Sequence, residues 1–337
     1  MGLDGDGAVG TGALSRIAVV TVNYGTADLA VEAVQSVLDH GHGGRDVRVH
    51  LVDNASPGDD AARLARAHAE RGWGGRVALR AEPVNHGFGG GCNVAIAPLL
   101  DAPEPPDSVM LLNPDARLEG ETVDALARAL EAAPRAGFAG PGIRLPDGTP
   151  VTAAFRFPSV ASEFADTLSF GPVSRRLAHR QVALPPDHPA GPVDWVAGAG
   201  VMIRADALRA TGLFDPRYFL YYEEVDLMRR GQRLGWACLY VPGARLVHAE
   251  GASTGVRSRE ARPARRPAYH YRSWATYHRE QGLSHALMAA AARLAGAAGN
   301  RALAAVVPRR RTGVAAHFHG DFLRHALGPI LRRGGVR

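Results

Sequence analysis

Only two cysteines, Cys92 and Cys238, occur among the 337 residues of this chain. Two thiols exclude a zinc cluster and a multi-disulfide framework, and they fit a reducing cytoplasm. Lysine is absent, so all 39 basic residues are arginine. With Ala, Gly and Pro abundant, this reads as the coding bias of a GC-rich genome and carries no functional message. No apolar run reaches the roughly 18 residues that suggest a membrane span; the nearest, ALMAAAARLAGAAG, is broken by Arg293. The opening MGLDGDGAVGTGALS lacks the basic and apolar regions of a signal peptide. Asp6 stands where a myristoylation signal has Ser or Thr. Acid is nearly missing from residues 301–337, where eight arginines face the single Asp321. That net +7 leaves the other 300 residues at −1, so the main body is not a nucleic-acid binder by charge.

What is present suits a globular protein: 46% hydrophobic and 21% charged residues. Residues 1–15 read as a flexible leader. IAVVTVNY (17–24), VRVHLVDN (47–54), RVALRAE (76–82) and SVMLLNPDA (108–116) are short runs that suit buried strands. Helical spacing follows the first at 27–40 and the second at about 59–70. After the third comes a glycine loop, NHGFGGGCN (85–93), and a short helix. Strand-then-helix units at this spacing predict a parallel α/β sheet with right-handed crossovers, in which ligands bind beyond the carboxyl ends of the strands. Asn23, Asp53, Asn85, Asn113 and Asp115 all fall at or just past such ends. From Gly137 to Pro192 the pattern predicts short mixed strands and Pro-rich loops. Beyond, 194–208 reads as a turn into a buried strand, 219–235 as a loop feeding a helix, and 236–250 as two short strands. An Arg- and Pro-rich connector and helical segments follow.

Several groups carry chemistry. In LLNPDA (111–116), Asn113 and Asp115 end a strand and offer hard oxygen ligands for Mg²⁺ or Mn²⁺; an Asn-Pro-Asp turn is the plainer alternative. Glu223 and Glu224, with Asp226 nearby, offer a general base whose proton affinity is raised by its neighbour; helix N-terminal acids complementing the dipole are the alternative. Tyr218, Phe219, Tyr221 and Tyr222 precede them, and aromatics suit sugar rings. His248 follows an apolar run and could complete a metal shell or be structural. The glycine loop fails the dinucleotide fingerprint, since Cys92 stands where a glycine or alanine is required. It would instead let backbone approach a ligand closely, or form a simple turn. Asp53 could bind a base N–H or a ribose hydroxyl, or cap the helix near Asp59.

In order and spacing, over roughly residues 16–280, these segments resemble family 2 glycosyltransferases, especially the rhamnosyltransferase-like branch. VVTVNY resembles the first strand, with Gly25 where an asparagine is usual. VDNAS (52–56) resembles the nucleotide-binding aspartate segment, and NHGFGGGCNVAI the Asn-x-Gly-Phe-Gly loop. LLNPDA resembles the metal motif and WVAGAGVMIRADAL the acceptor-side strand. GLFDPRYFLYYEEVDLMRR resembles the catalytic block, with Glu224 where the family has Asp.

The resemblance implies a GT-A fold, α/β with a mostly parallel central sheet, and a C-terminal helical extension. Its boundaries would be a catalytic domain over 16–250, with a nucleotide-binding half at 16–116 and an acceptor half at 117–250, then the connector and extension at 251–337. It implies inverting, metal-dependent transfer of a sugar to an acceptor hydroxyl. The branch points to L-rhamnose from dTDP-rhamnose, with UDP- and GDP-sugars left open. By the same resemblance Asp115 and His248 hold the ion, and Glu224, with Glu223 beside it, is catalytic. Asn23, Tyr24, Asp53, Asn85, Gly87, Phe88, Gly89, Asn93 and Asn113 surround the donor. Trp195, Gly198, Tyr222 and Asp226 face the acceptor, which would be a saccharide, a lipid-linked saccharide or a small molecule. A sugar nucleotidyltransferase usually carries a basic glycine-rich loop after its first strand, and residues 23–28 hold no basic residue. A non-catalytic nucleotide-sugar or carbohydrate-binding protein is the other alternative. In the tail, Phe318, Phe322, Leu323, Leu327, Ile330 and Leu331 among arginines suit peripheral contact with an anionic membrane face; packing on the chain's own domain competes. The expected location is the cytoplasm, peripheral at the inner face of the cell membrane.

Overall fold

A computed structural model describes residues 12–249, 265–307 and 312–332. Most of the leader, most of the Arg-rich connector and Arg309–Arg311 lie outside the described residues. The first four expected strands form as β1 (Arg16–Asn23), β2 (Asp46–Asp53), β3 (Val77–Ala81) and β4 (Ser108–Leu112). They pair in parallel in the order β3-β2-β1-β4. β1 and β4, in the middle of the sheet, are apolar and buried on both faces, as strands covered by helices must be, while β3 at the edge is largely exposed. Helices α1 (Ala27–Leu38) and α2 (Asp60–Glu70) make the first crossovers.

The sheet then turns mixed. Its next strands in the chain are β5 (Ala116–Glu119), β6 (Ala136–Arg144), β7 (Gly200–Arg204) and β8 (Ala237–His248). The order continues from β4 through β7, β6 and β8 to β5. β7 is antiparallel to both β4 and β6, while β8 runs parallel to β6 and antiparallel to β5. This topology carries the carboxyl end of β8 back to the start of β5, with His248 opposite Ala116.

Three expectations are corrected. Gly87–Leu100 is not a loop with a short helix after it but a single helix, α3, and its glycines form the first turns. Residues 236–250 hold one strand, β8, whose register against β6 slips between Val241 and Arg245. Pro242 sits in that slip, where a missing N–H costs no ladder bond. The Pro-rich stretch hides a helix, α4 (Val160–Leu168), opened by a reciprocal Ser159–Ser162 capping box.

The C-terminal helices α5 (Ala268–Arg279) and α6 (Leu283–Val306) pack on this body. The Ala/Gly stretch of α6 allows close approach to α4: a methyl on Gly296 would stand 2.7 Å from the Phe164 carbonyl. Glu163 of α4 joins the two C-terminal helices, accepting from Arg293 at 2.6 Å and lying 3.2 Å from His278. Burial would raise its pKa, but Arg293 and His278 outweigh it and hold Glu163 at about 2. Phe318, Phe322 and Ile330 are buried with Tyr271 and Trp274. Half of the expected membrane anchors thus serve the chain's own core, and Leu323 and Leu331 alone of the six stay exposed.

Candidate active site

At the ends of β1 and β2, Asn23 and Asp53 stand side by side in register. Asn23 is fully buried, and its amide nitrogen lies 2.9–3.0 Å from Asp53 Oδ1, Ser56 Oγ and Asp60 Oδ2. Its carbonyl accepts from the Thr26 N–H and hydroxyl. These bonds make Asn23 a frame for the strand ends, which revises the direct nucleotide contact expected of it. Tyr24, next along, is exposed.

Asn85 and Asn93 are revised in the same way. Asn85 Oδ1 accepts from Asn54 Nδ2 and from the Gly87 N–H, shaping the entry to α3. Asn93 brackets Phe214, donating to its carbonyl at 2.8 Å and accepting from its N–H at 3.1 Å. Gly87 has φ +72°, and any Cβ there would overlap the Phe219 carbonyl. That carbonyl accepts from the Phe88 N–H at 3.0 Å. A Cβ on Gly89 would crowd Phe214, standing 2.9 Å from its Cβ and 3.1 Å from the ring. The glycines therefore let α3 seat the segment 214–222 against its first turn, and only residues without a side chain permit that approach.

That segment delivers the acids. Tyr221 and Tyr222 both take left-handed backbone, φ +70° and +69°. Such strain in bulky residues is held only where the surroundings fix it, and it marks functional sites. Helix α7 (Glu223–Arg233) follows at once. Glu223 is buried and both glutamates keep a buried oxygen, Oε2, without a partner among the described residues. Burial pushes both carboxyls above the usual range, and at Glu223 repulsion from Glu224 adds to it. Glu224 lines a cavity of about 440 Å³ together with Trp195 and Tyr222. Trp195 is fixed by stacking on Phe155, 4.0 Å between centroids, and by donating to the Arg156 carbonyl. Gly198 faces the acid, since a Cβ there would stand 3.6 Å from Glu224 Oε1.

Asp226 departs from its expected place on the acceptor side. One helical turn before Arg230, it pairs with that guanidinium at 2.7 Å and lies 3.5 Å from the Tyr218 hydroxyl. The i, i+4 spacing turns it into the wall behind α7.

Asp115 and His248, 133 positions apart, do meet: Nε2 lies 3.0 Å from Oδ1. The β5–β8 register and the bond from Ala249 N–H to the Asp115 carbonyl hold the corner. No group of three or more His, Cys, Asp or Glu that could hold a metal forms among the described residues. A carboxylate oxygen with an imidazole nitrogen suits Mn²⁺ or Mg²⁺ when the remaining positions go to a phosphate ligand and water. The turn Ala197–Ala199 joins this corner to Glu224: Ala199 O accepts from Asn113 N–H at 3.0 Å, and Gly198 faces the acid. The far wall of the cavity is built by residues that motif reading passed over, Glu163, Asp166, Arg266, His270 and Arg293. No local pattern marks them, because α4 and the C-terminal helices bring them in from distant chain. Burial and the neighbouring Glu163 raise Asp166 to about 6.

Residues 15–266 match the family described as glycosyltransferase like family 2. The N-acetylglucosaminyl-diphospho-decaprenol L-rhamnosyltransferase of Mycobacterium tuberculosis is 35% identical over 239 residues, 68% of this chain and 73% of that protein. Rhamnosyltransferase WbbL of Escherichia coli is 26% identical over 168 residues, 48% of this chain and 61% of that one. Among solved structures, GalNAc-T7 with UDP, GalNAc and Mn²⁺ aligns at TM-score 0.55 and 14% identity, over 81% of this chain and 53% of its own. This chain thus spans about half of that protein's length. The mannosyltransferase PcManGT from Pyrobaculum calidifontis, with GDP-Man and Mn²⁺, aligns at 0.50 and 17%, over 86% and 75%. The fold is GT-A.

Proposed function

The chain belongs to glycosyltransferase family 2 and is a glycosyltransferase; on that premise we propose inverting, metal-dependent transfer of L-rhamnose from dTDP-rhamnose to a lipid-linked saccharide. The observation that carries this reading is the buried, unpartnered Oε2 of Glu224 at the cavity wall, which the turn Ala197–Ala199 connects to the Asp115–His248 corner.

The nucleotide lies over the frame made by Asn23 and Asp53, with Tyr24 at its rim and the first turn of α3 (Gly87–Gly89) beneath the donor. Asn113 stands between the donor and the metal corner. Asp115 and His248 would hold Mg²⁺ or Mn²⁺, and the ion would supply charge neutralisation to the departing nucleoside diphosphate. Glu224 removes the acceptor hydroxyl proton as that oxygen attacks the anomeric carbon from the face opposite the leaving group. Burial keeps the proton affinity of Glu224 high, which suits a base working near neutral pH, and Glu223 beside it keeps its own proton. Trp195 and Tyr222 shelve the acceptor sugar beside Gly198. The working division is a catalytic domain over 16–250 and an extension over 251–337 that closes the acceptor side. The acceptor assignment draws on the mycobacterial relative, whose name specifies a diphospho-decaprenol sugar.

Thermal melting with a panel of nucleotide sugars tests the donor. With Mn²⁺, dTDP-rhamnose at about a hundred times its Kd should raise the midpoint by several degrees, and EDTA should remove the effect. A panel in which no nucleotide sugar stabilises the protein would sink the reading.

A lipid-linked acceptor also calls for contact with the bilayer surface. Among the described residues no helix is long and apolar enough to cross a membrane. The outward face of α6 nevertheless exposes Leu283, Leu287, Met288 and Val306. Exposed Arg301 and, in the sequence, Arg309–Arg311 flank its end. Apolar side chains rimmed by arginine complement an anionic bilayer. The full chain should float with phosphatidylglycerol vesicles and release in high salt. Equal recovery with and without vesicles would overturn this contact.

A further inference from the structure

Arg265 and Arg266 are neighbours in the chain with opposite surroundings. Arg265 makes a two-pronged ion pair with Asp321, at 2.6 and 2.8 Å. Arg266 enters the wall of the 440 Å³ cavity that Glu224 also lines. There its Nη1 lies 2.6 Å from His270 Nε2. The polar groups that act on its charge are Arg293, Tyr221, Tyr222 and Tyr271, and no carboxylate among the described residues pairs with it. Its side chain stays open to water in the cavity although protein surrounds it on most sides.

The other charged groups of the wall are committed elsewhere. Arg293 is bound to Glu163 at 2.6 Å, and Asp166 faces that pair. Burial, Arg266 and Arg293 push His270 down to about 3, so it is neutral at physiological pH and accepts from Arg266 without adding charge. Arg266 is left as a positioned cation without a counter-ion among the described residues, in a cavity of the size that holds small ligands. A partly desolvated guanidinium offers forked N–H donors that match phosphate oxygens. Beside it the wall is apolar, with Val314, Ala315 and Phe318. A free inorganic anion has no use for that strip, whereas the first carbons of a lipid ester do.

We propose that Arg266, oriented by His270, binds a phosphate ester of the acceptor, placing the acceptor sugar toward Glu224 and its lipid along the Val314–Phe318 wall. This rests on the reading of Glu224 as the acceptor-side base.

Isothermal titration of the full chain in EDTA, which silences a metal-dependent donor site, gives the test. Farnesyl diphosphate is the probe, with farnesol and inorganic pyrophosphate beside it. The wild-type chain should bind farnesyl diphosphate at least about tenfold more tightly than either control. Arg266→Gln should weaken the diphosphate about tenfold to a hundredfold, as loss of a charge-assisted bond does, and leave farnesol unchanged. Arg266→Lys should restore part of the loss, and matching melting curves exclude misfolding as the cause. Equal binding of farnesyl diphosphate by wild type and Arg266→Gln would overturn the proposal. Pyrophosphate bound as tightly as farnesyl diphosphate would overturn its ester part. The base reading fails separately, through transfer by Glu224→Gln, since no titration here involves turnover.

Discussion

Glu224→Gln is expected to fold normally and to lower kcat about a hundredfold to ten-thousandfold, the range that a positioned general base contributes. Glutamine keeps the volume and the hydrogen-bonding capacity of the side chain but cannot take a proton. Donor binding with Mn²⁺ should persist, so the loss should fall on kcat and spare the donor KM. Full turnover by the variant would remove Glu224 from the mechanism. The pH profile gives a companion test. The working form of Glu224 is the carboxylate, and burial raises its pKa; activity should therefore fall as pH drops through a value above the ordinary carboxylate range. Glu223 is the acid that its neighbour lifts and it holds a proton beside the Glu224 carboxylate, so Glu223→Gln should leave that acid limb nearly unmoved. The same substitution should raise the melting point at pH 8. Because burial and Glu224 lift Glu223 well above its ordinary 4.5, the native state holds that proton more firmly than the unfolded chain. Stability is lost as pH climbs from the unfolded value through the native one. Glutamine avoids that loss, so variant and wild type should converge near pH 4. A melting point at pH 8 that the substitution leaves unchanged would show that Glu223 has no raised pKa in the native state.

Asp115→Ala should lower kcat/KM about a thousandfold, since the bound cation supplies several kcal/mol of charge stabilisation to the leaving group. Asp115 and His248 meet at one end of the β5–β8 pairing, and each provides a different kind of donor atom. Losing the carboxylate leaves a single imidazole, too little to hold a hard cation against water. The Mn²⁺-dependent stabilisation by nucleotide sugar should vanish together with activity, and a melting curve without ligand should show the fold retained. His248→Gln should weaken the Mn²⁺ requirement less, because the remaining carboxylate carries the charge. If Asp115→Ala kept its response to Mn²⁺, the cation would sit elsewhere.

Much of this architecture is legible in the order of residues. β1 and β4 are visible there because buried parallel strands must be apolar on both faces, and the polar strand ends mark where a ligand belongs. The helix α3 is not visible, since its opening glycines have poor helix propensity. Close contact with Phe214 and Phe219 outweighs that propensity. The slip in β8 makes one strand look like two. Asp226 looks like part of an acidic trio, and its helical partner Arg230 withdraws it.

The linear chain suffices to identify the family, the parallel half of the sheet, and the acids and the histidine on which the proposed chemistry rests, because those signals are local: apolar period, turn residues, short motifs. Pairing across long separations is decided in three dimensions. Asp115 meets His248 only when β8 folds back along β5, Asn23 becomes a frame only when β2 brings Asp53 beside it, and Arg266 faces the cavity of Glu224 only after α5 and α6 dock on α4. Hydrogen bonds and desolvation act over a few ångströms of space, and sequence distance does not encode that proximity.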